Sequence, residues 1–193
     1  RCGRPSPPWP RSPSRTWIFS FTPDRADLFA RTTALLDQMG LSIMDARILT
    51  TDDGMAVNTY QVLDQDGHPI HDPLRMEEIR ARLSEDLGEG ASGDIQVARS
   101  IPRRLRYFPT ETRVTFSADG ANRRTIMRLS TLDRPGLLAE VGAVFQDCGI
   151  RLQNAKIATV GAEVEDIFFI TNTDDSPIIS ESALSCLRRE IHD

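Results

Sequence analysis

The stretch Leu132-Asp133-Arg134-Pro135-Gly136-Leu137-Leu138-Ala139-Glu140-Val141 has a looser counterpart 109 residues earlier, Pro23-Asp24-Arg25-Ala26-Asp27-Leu28-Phe29-Ala30. At that offset and without gaps, residues 24–50 and 133–159 agree at nine of twenty-seven positions. Most of the other positions keep their polarity. Self-similarity at a fixed offset marks the duplication of one structural unit. The chain therefore has to hold two related units, and its 193 residues leave each roughly 75–90, a size that folds alone with modest stability and often pairs.

The first unit spans residues 16–101. Trp17–Phe21 is a short apolar run that suits a strand, and Asp24 is placed to cap a helix. Leu28, Thr32, Leu35, Leu36 and Met39 then mark one helical face, which Gly40 closes. Leu41–Thr50 and Met55–Leu63 read as strands joined by a turn at Asp52-Asp53-Gly54. A second helix runs from about Pro73 to Leu87 with Leu74, Ile79, Leu83 and Leu87 apolar, and Ile95–Ile101 reads as a last strand. Strand-helix-strand-strand-helix-strand is the order of a ferredoxin-like unit, an α+β fold with both helices on one face of an antiparallel sheet.

Residues 112–193 repeat this order with changed ends. Strands fall at Thr112–Ala118, Thr125–Thr131, Ile150–Thr159 and Val164–Thr171, and helices at about Pro135–Cys148 and Ser180–Ile191. The chain stops without a last strand, so topology predicts that the 112–118 strand takes its place beside the first. In both copies the apolar positions of the second strand shift phase, between Ile43 and Ala46 and between Leu152 and Ala155. That predicts a bulge near Asp45 and near Asn154.

Residues 1–15 combine prolines, arginines and serines without periodicity and read as disordered. Residues 102–111 read as a solvated basic linker. The start at Arg1 rather than Met points to a piece of a longer chain. A net charge of −5 and a pI near 5.3 argue against nucleic-acid and anionic-membrane partners, which need a basic face. No apolar run approaches the roughly 20 residues of a membrane span. Cys2, Cys148 and Cys186 lack metal-site spacing and read as reduced thiols of a cytoplasmic protein. There is no nucleophile set, no Gly-rich phosphate loop and no metal-binding motif; His71-Asp72 reads as a chance loop pair.

What chemistry the chain carries is concentrated where the first strand of each unit turns into its first helix. There Asp133 is placed to cap, Pro135 suits a first turn, and Gly136 permits close approach of a small ligand. Backbone N–H groups at such a turn can donate to a carboxylate. In the first copy Ala26-Asp27 replaces Pro-Gly, and the added charge makes it less suited to an anion. Asn154 carries both a donor and an acceptor that can read an amide or amino group. Asn58 and Asp166 are equivalent polar positions on the strand face that carries Tyr60 and Phe168, and read as structural.

DRPGLLAEVGAVFQDCGI followed by RLQNAKIATVGAEVEDIFFIT resembles an ACT domain, a ferredoxin-like module that binds amino acids. With FTPDRADLFARTTALLDQMGLSIMDARILTTDDGMAVNTYQV and RRTIMRLSTLDRPGLL, the pair resembles the C-terminal tandem ACT region of bacterial bifunctional uridylyltransferase/uridylyl-removing enzymes, over residues 16–193. The resemblance implies an amino-acid-sensing role, with L-glutamine as the ligand and the signal protein PII as the partner of the parent enzyme. It implies Mg²⁺ and UTP only for catalytic domains whose motifs are absent here. It places ligand contacts at Asp133, Arg134, Pro135, Gly136, Leu137 and Asn154, with weaker counterparts at Asp24, Arg25, Asp27 and Asp45. It also implies ACT–ACT pairing within or between chains; a scaffold role without a ligand is the alternative.

Overall fold

The computed structural model describes residues 15–88, 111–121, 123–160 and 163–192. All of the expected disordered segment but Arg15, the Ile95–Ile101 strand and almost all of the basic linker lie outside these residues. The first unit contains β1 (Thr16–Pro23), α1 (Leu28–Gln38), β2 (Ser42–Thr50), β3 (Met55–Leu63) and α2 (Pro73–Leu87). The second contains β4 (Arg113–Ala118), β5 (Thr125–Leu132), α3 (Leu137–Asp147), β6 (Ile150–Lys156), β7 (Thr159–Val160), β8 (Glu163–Asn172) and α4 (Glu181–His192).

The two units share a single antiparallel sheet, in the order β1-β3-β2-β6-β8-β5-β4, with the short β7 paired to β8. The seam is β2 against β6, where Asp45 faces Lys156, Ala46 faces Ala155 and Arg47 faces Asn154. Pairing is thus within the chain. The two alanines lie at the centre of the seam and are fully buried. β4 lies antiparallel beside β5, at the edge where a ferredoxin-like unit carries its last strand.

Both bulges fall where the phase shift of the apolar residues places them, between Ile43 and Asp45 and between Leu152 and Asn154. The cause is local: Ile43 and Ala46 are both buried, yet three residues apart they cannot share a face of a regular strand. β3 needs no such device. Its Ala56, Asn58, Tyr60 and Val62 alternate inward without a break.

The helices pack in the order α2-α1-α3-α4 over one face of the sheet, with one core running through both units. At the α1–α3 contact, a Cβ placed on Gly142 would lie 2.9 Å from the Ala30 Cα. Only a glycine lets the two helices come so close. Leu74 is exposed, contrary to its place on the expected apolar face of α2. Five residues before Ile79, it points about 140° away from the Ile79-Leu83-Leu87 stripe. α2 begins as a Pro at the first position predicts, with Asp72 accepting a bond from the Leu74 N–H at 3.0 Å.

Cys148 and Cys186 form a disulfide, Cα to Cα 6.0 Å, which corrects the expectation of reduced thiols. The pairing was hidden by a sequence separation of 38. It arises because α4 packs against α3, bringing the end of one helix beside the middle of the other.

Candidate ligand site

The strand-to-helix joints differ between the two units in a way that follows from two residues. In each, an N–H bonds the carbonyl three residues back: Leu28 to Arg25 at 3.0 Å and Leu137 to Arg134 at 3.2 Å. Gly136 has φ 83° and ψ −3°, the third-position geometry of a type II turn, with Pro135 at the position where proline is favoured. Asp27 has φ −86° and ψ −3°, the geometry of a type I turn. The peptide between the two central residues is flipped between these types. Pro-Gly and Ala-Asp therefore present opposite faces of that peptide to whatever lies above the turn.

These turns also correct the expected caps. Asp24 and Asp133 lie before the turn, so Asp27 and Gly136 occupy the cap positions, and neither makes a side-chain cap bond. The Asp24 carboxylate instead accepts from the Thr50 hydroxyl at 2.9 Å. Pro135 is in the turn, ahead of α3.

Above each turn lies a pocket built from both units. The first, about 260 Å³, is bounded by Asp133, Arg134, Pro135, Gly136, Leu137 and Leu138 of the second unit and by Asp37, Leu41, Ser42 and Ile43 at the end of α1 and start of β2. Ile157, Val164 and Asp166 complete it. The second, about 280 Å³, sets Asp24, Arg25, Ala26, Leu28 and Phe29 against the end of α3 and the start of β6, including Gln146, Gly149, Ile150, Arg151 and Leu152. Ile48 and Asn58 line it as Ile157 and Asp166 line the first. The correspondence follows the 109-residue offset through both turns and both helix ends.

Of the residues expected at a site, Asp133, Arg134, Pro135, Gly136 and Leu137 are brought together in one pocket, and Asp24 and Arg25 in the other. Asp27 is outside the lining, 3.7 Å from the guanidiniums of Arg25 and Arg31. Asp45 and Asn154 lie on the seam, facing Lys156 and Arg47, and line neither pocket. The bulges place them there, two residues past the pocket walls at Ile43 and Leu152.

Sequence reasoning took Asn58 and Asp166 as structural; the structure puts each in a pocket lining. Each is only 1% exposed. Asp166 Oδ2 has no hydrogen-bond partner, whereas the Asn58 amide lies beside the buried Tyr60 hydroxyl. Leaving a buried carboxylate oxygen unpaired is costly. Asp166 Oδ1 accepts a 3.3 Å bond from the Ala158 N–H. Burial pushes the Asp166 carboxyl up to about 7, the Ala158 bond opposes this, and the charge of Asp133 adds to it. The other residues missed, Asp37, Ser42, Gln146 and Arg151, belong to the partner unit's half of each pocket. Their signal in the sequence was the offset itself, which carries them in register with the turns.

Among the described residues no group of His, Cys, Asp and Glu has the arrangement of a metal site. No helix there is long and apolar enough to cross a membrane.

Two ferredoxin-like units joined edge to edge in one sheet, with pockets of about 260 and 280 Å³ above their strand-to-helix turns, define a tandem ACT-type pair. No family model matches the chain. It is 43% identical over 172 residues to the bifunctional uridylyltransferase/uridylyl-removing enzyme of Methylococcus capsulatus strain Bath, covering 89% of the chain and 20% of that protein. The enzymes of the same name from Pseudomonas fluorescens SBW25 and Stutzerimonas stutzeri A1501 are 44% and 45% identical over 164 and 174 residues. These alignments cover 84% and 90% of the chain, and 18% and 19% of those proteins. The chain belongs with the C-terminal region of the bifunctional uridylyltransferase/uridylyl-removing enzymes; it spans about a fifth of the length of these curated relatives. Among solved structures it is similar to the regulatory subunit of aspartate kinase from Thermus thermophilus, with 12% identity, a TM-score of 0.28, and 90% and 89% of the two chains covered. At that TM-score the likeness adds nothing to the topology described above.

Proposed function

We propose that the chain is the amino-acid-sensing module of a bifunctional uridylyltransferase/uridylyl-removing enzyme, with L-glutamine as its ligand. In that role it sets whether the parent enzyme attaches UMP to the signal protein PII or removes it. Catalysis, Mg²⁺ and the contact with PII belong, on this reading, to the rest of the parent enzyme.

The observation that carries the proposal is the construction of the pockets. Each takes the helix-opening turn of one unit and the helix end of the other. A ligand held there touches both units, so its binding free energy depends on how they are set against each other. That is the requirement for a ligand to shift a conformational equilibrium, and couplings of about 1–3 kcal/mol are typical. The amino-terminal end of α3 above Gly136 suits the ligand's carboxylate.

Calorimetric titration of the chain with L-glutamine tests this. Saturable heat is expected, lost in Gly136→Asp, and no heat from the folded protein would sink it. A ligand-free scaffold role is the second reading, favoured by one observation. The sheet face away from the helices exposes Phe19 (75%), Phe21 (70%), Trp17 and Leu49, an apolar patch of the kind that marks interaction surfaces. Gly136→Asp would leave such a role intact.

A further inference from the structure

The two pockets share a plan but not a charge. Asp133 and Arg134 in one correspond to Asp24 and Arg25 in the other, so these residues do not distinguish them. Three other pairs do. Asp37 at the end of α1 corresponds to Gln146 at the end of α3, and Ser42 on β2 to Arg151 on β6. In the sheet, Tyr60 stands opposite Ala46 and Phe168 opposite Ala155, which makes Asn58, two residues before Tyr60, the counterpart of Asp166. At each pair the 133–137 pocket has the more negative residue. It therefore presents three carboxylates, Asp37, Asp133 and Asp166, and its one guanidinium, Arg134, is already bonded to Glu140 of α3 at 2.8 Å. The pocket at the 24–28 turn has one carboxylate and two guanidiniums, Arg25 and Arg151, the latter bonded to Asp175 at 3.1 Å.

Acidity alone marks no site. The independent observation is Asp166, 1% exposed, lining the pocket, with Oδ2 lacking any partner. A buried carboxylate oxygen left unpaired is stabilised by a donor that brings positive charge, because a charge-assisted bond offsets the desolvation a neutral one does not. At the equivalent point of the other pocket the group is a neutral amide, which gives an ammonium no such reason to bind.

We propose that an amino acid binds one per chain, in the pocket at Asp133–Leu137, with its α-ammonium on the Asp166 carboxylate. This rests on the amino-acid-sensing reading and adds to it which pocket is used, which residue selects the ligand and why the second pocket stays out of it. The substrate class follows from the chemistry: a zwitterion whose ammonium meets Asp166 while its carboxylate meets the amide end of α3.

The test is calorimetric titration of the whole chain with each proteinogenic L-amino acid, L-glutamine first. The deamino analogue of any that binds follows, which for glutamine is glutaramic acid. The Gly136 and Ala158 amide resonances give the local readout. Expected are one molecule per chain, shifts at both amides, no binding of the deamino analogue, and an affinity at least about tenfold lower in Asp166→Asn. Loss of fold does not confuse the result, because that variant is predicted below to be no less stable than the parent. Two molecules per chain, equal binding of the deamino analogue, or unchanged affinity in Asp166→Asn would overturn the proposal and leave amino-acid sensing standing. An amino acid other than glutamine, bound with the same dependence on Asp166, would uphold the proposal and remove glutamine as the ligand. No binding of any L-amino acid would overturn both.

Discussion

Replacing Asp166 by Asn in the ligand-free chain isolates the energetics of one buried carboxyl. Its pKa is raised from 3.8 to about 7, chiefly by burial. Between those two pH values the folded chain holds a proton that the unfolded chain has released. Stability then falls as pH rises, since it increases with pH only where the unfolded state binds more protons. The stability associated with this group is fully present below the unfolded pKa and is lost as pH rises through the folded one. At about 1.4 kcal/mol per pKa unit, the full cost of ionising Asp166 in place is on the order of 4 kcal/mol. Asn has the same shape, keeps an acceptor for the Ala158 N–H and cannot ionise. Urea unfolding of the parent and Asp166→Asn chains from pH 4.5 to 8 should show the variant ahead by about 1 kcal/mol at the acid end and about 4 kcal/mol at the alkaline end. Asp37, Asp133 and Arg134 line the same pocket in both chains, so they are common to the two sides of the comparison. A gap between the two chains that does not change with pH would refute the reasoning.

Gly142→Leu should separate α1 from α3, because a Cβ alone meets the Ala30 backbone at 2.9 Å; a loss of about 2–3 kcal/mol by urea unfolding is expected. Gly136→Ala places a Cβ at φ 83° and should cost about 1 kcal/mol. In that variant the Gly136–Leu137 region of the amide spectrum should change while the seam residues Ala46 and Ala155 keep their shifts. Cys148 and Cys186 should resist alkylation until reduced, as mass spectrometry of the intact chain can show. Closing a loop with a sequence separation of 38, their bond should contribute about 3–4 kcal/mol to denaturation measured with and without reductant.

The sequence by itself determined the repeat, the order of the described elements apart from the short β7, and both bulges. Each is written in local or repeated patterns: the offset that pairs Gly40 with Gly149, the alternation along β3, and the pair Ile43 and Ala46, which a regular strand cannot bury on one face. Pro135-Gly136 and Ala26-Asp27 admit different backbone angles, but a proline read into the first turn of a helix hid the turn types. The caps were misplaced by three residues because Asp24 and Asp133 suit a helix start equally well in isolation; only the hydrogen bond closing each turn decides where the helix begins. The Cys148–Cys186 bond depended on how α4 packs on α3, which no local pattern encodes. The same holds for the pockets. Sequence placed Asp133–Leu137 at a site but could not supply its other wall, because Asp37 and Ser42 come from the other unit across a seam made by β2 and β6. Nor could it give Asp166 its role. A polar residue at an inward strand position reads as structural until the packing around it shows whether its atoms are paired, and at Asp166 one oxygen is left unpaired.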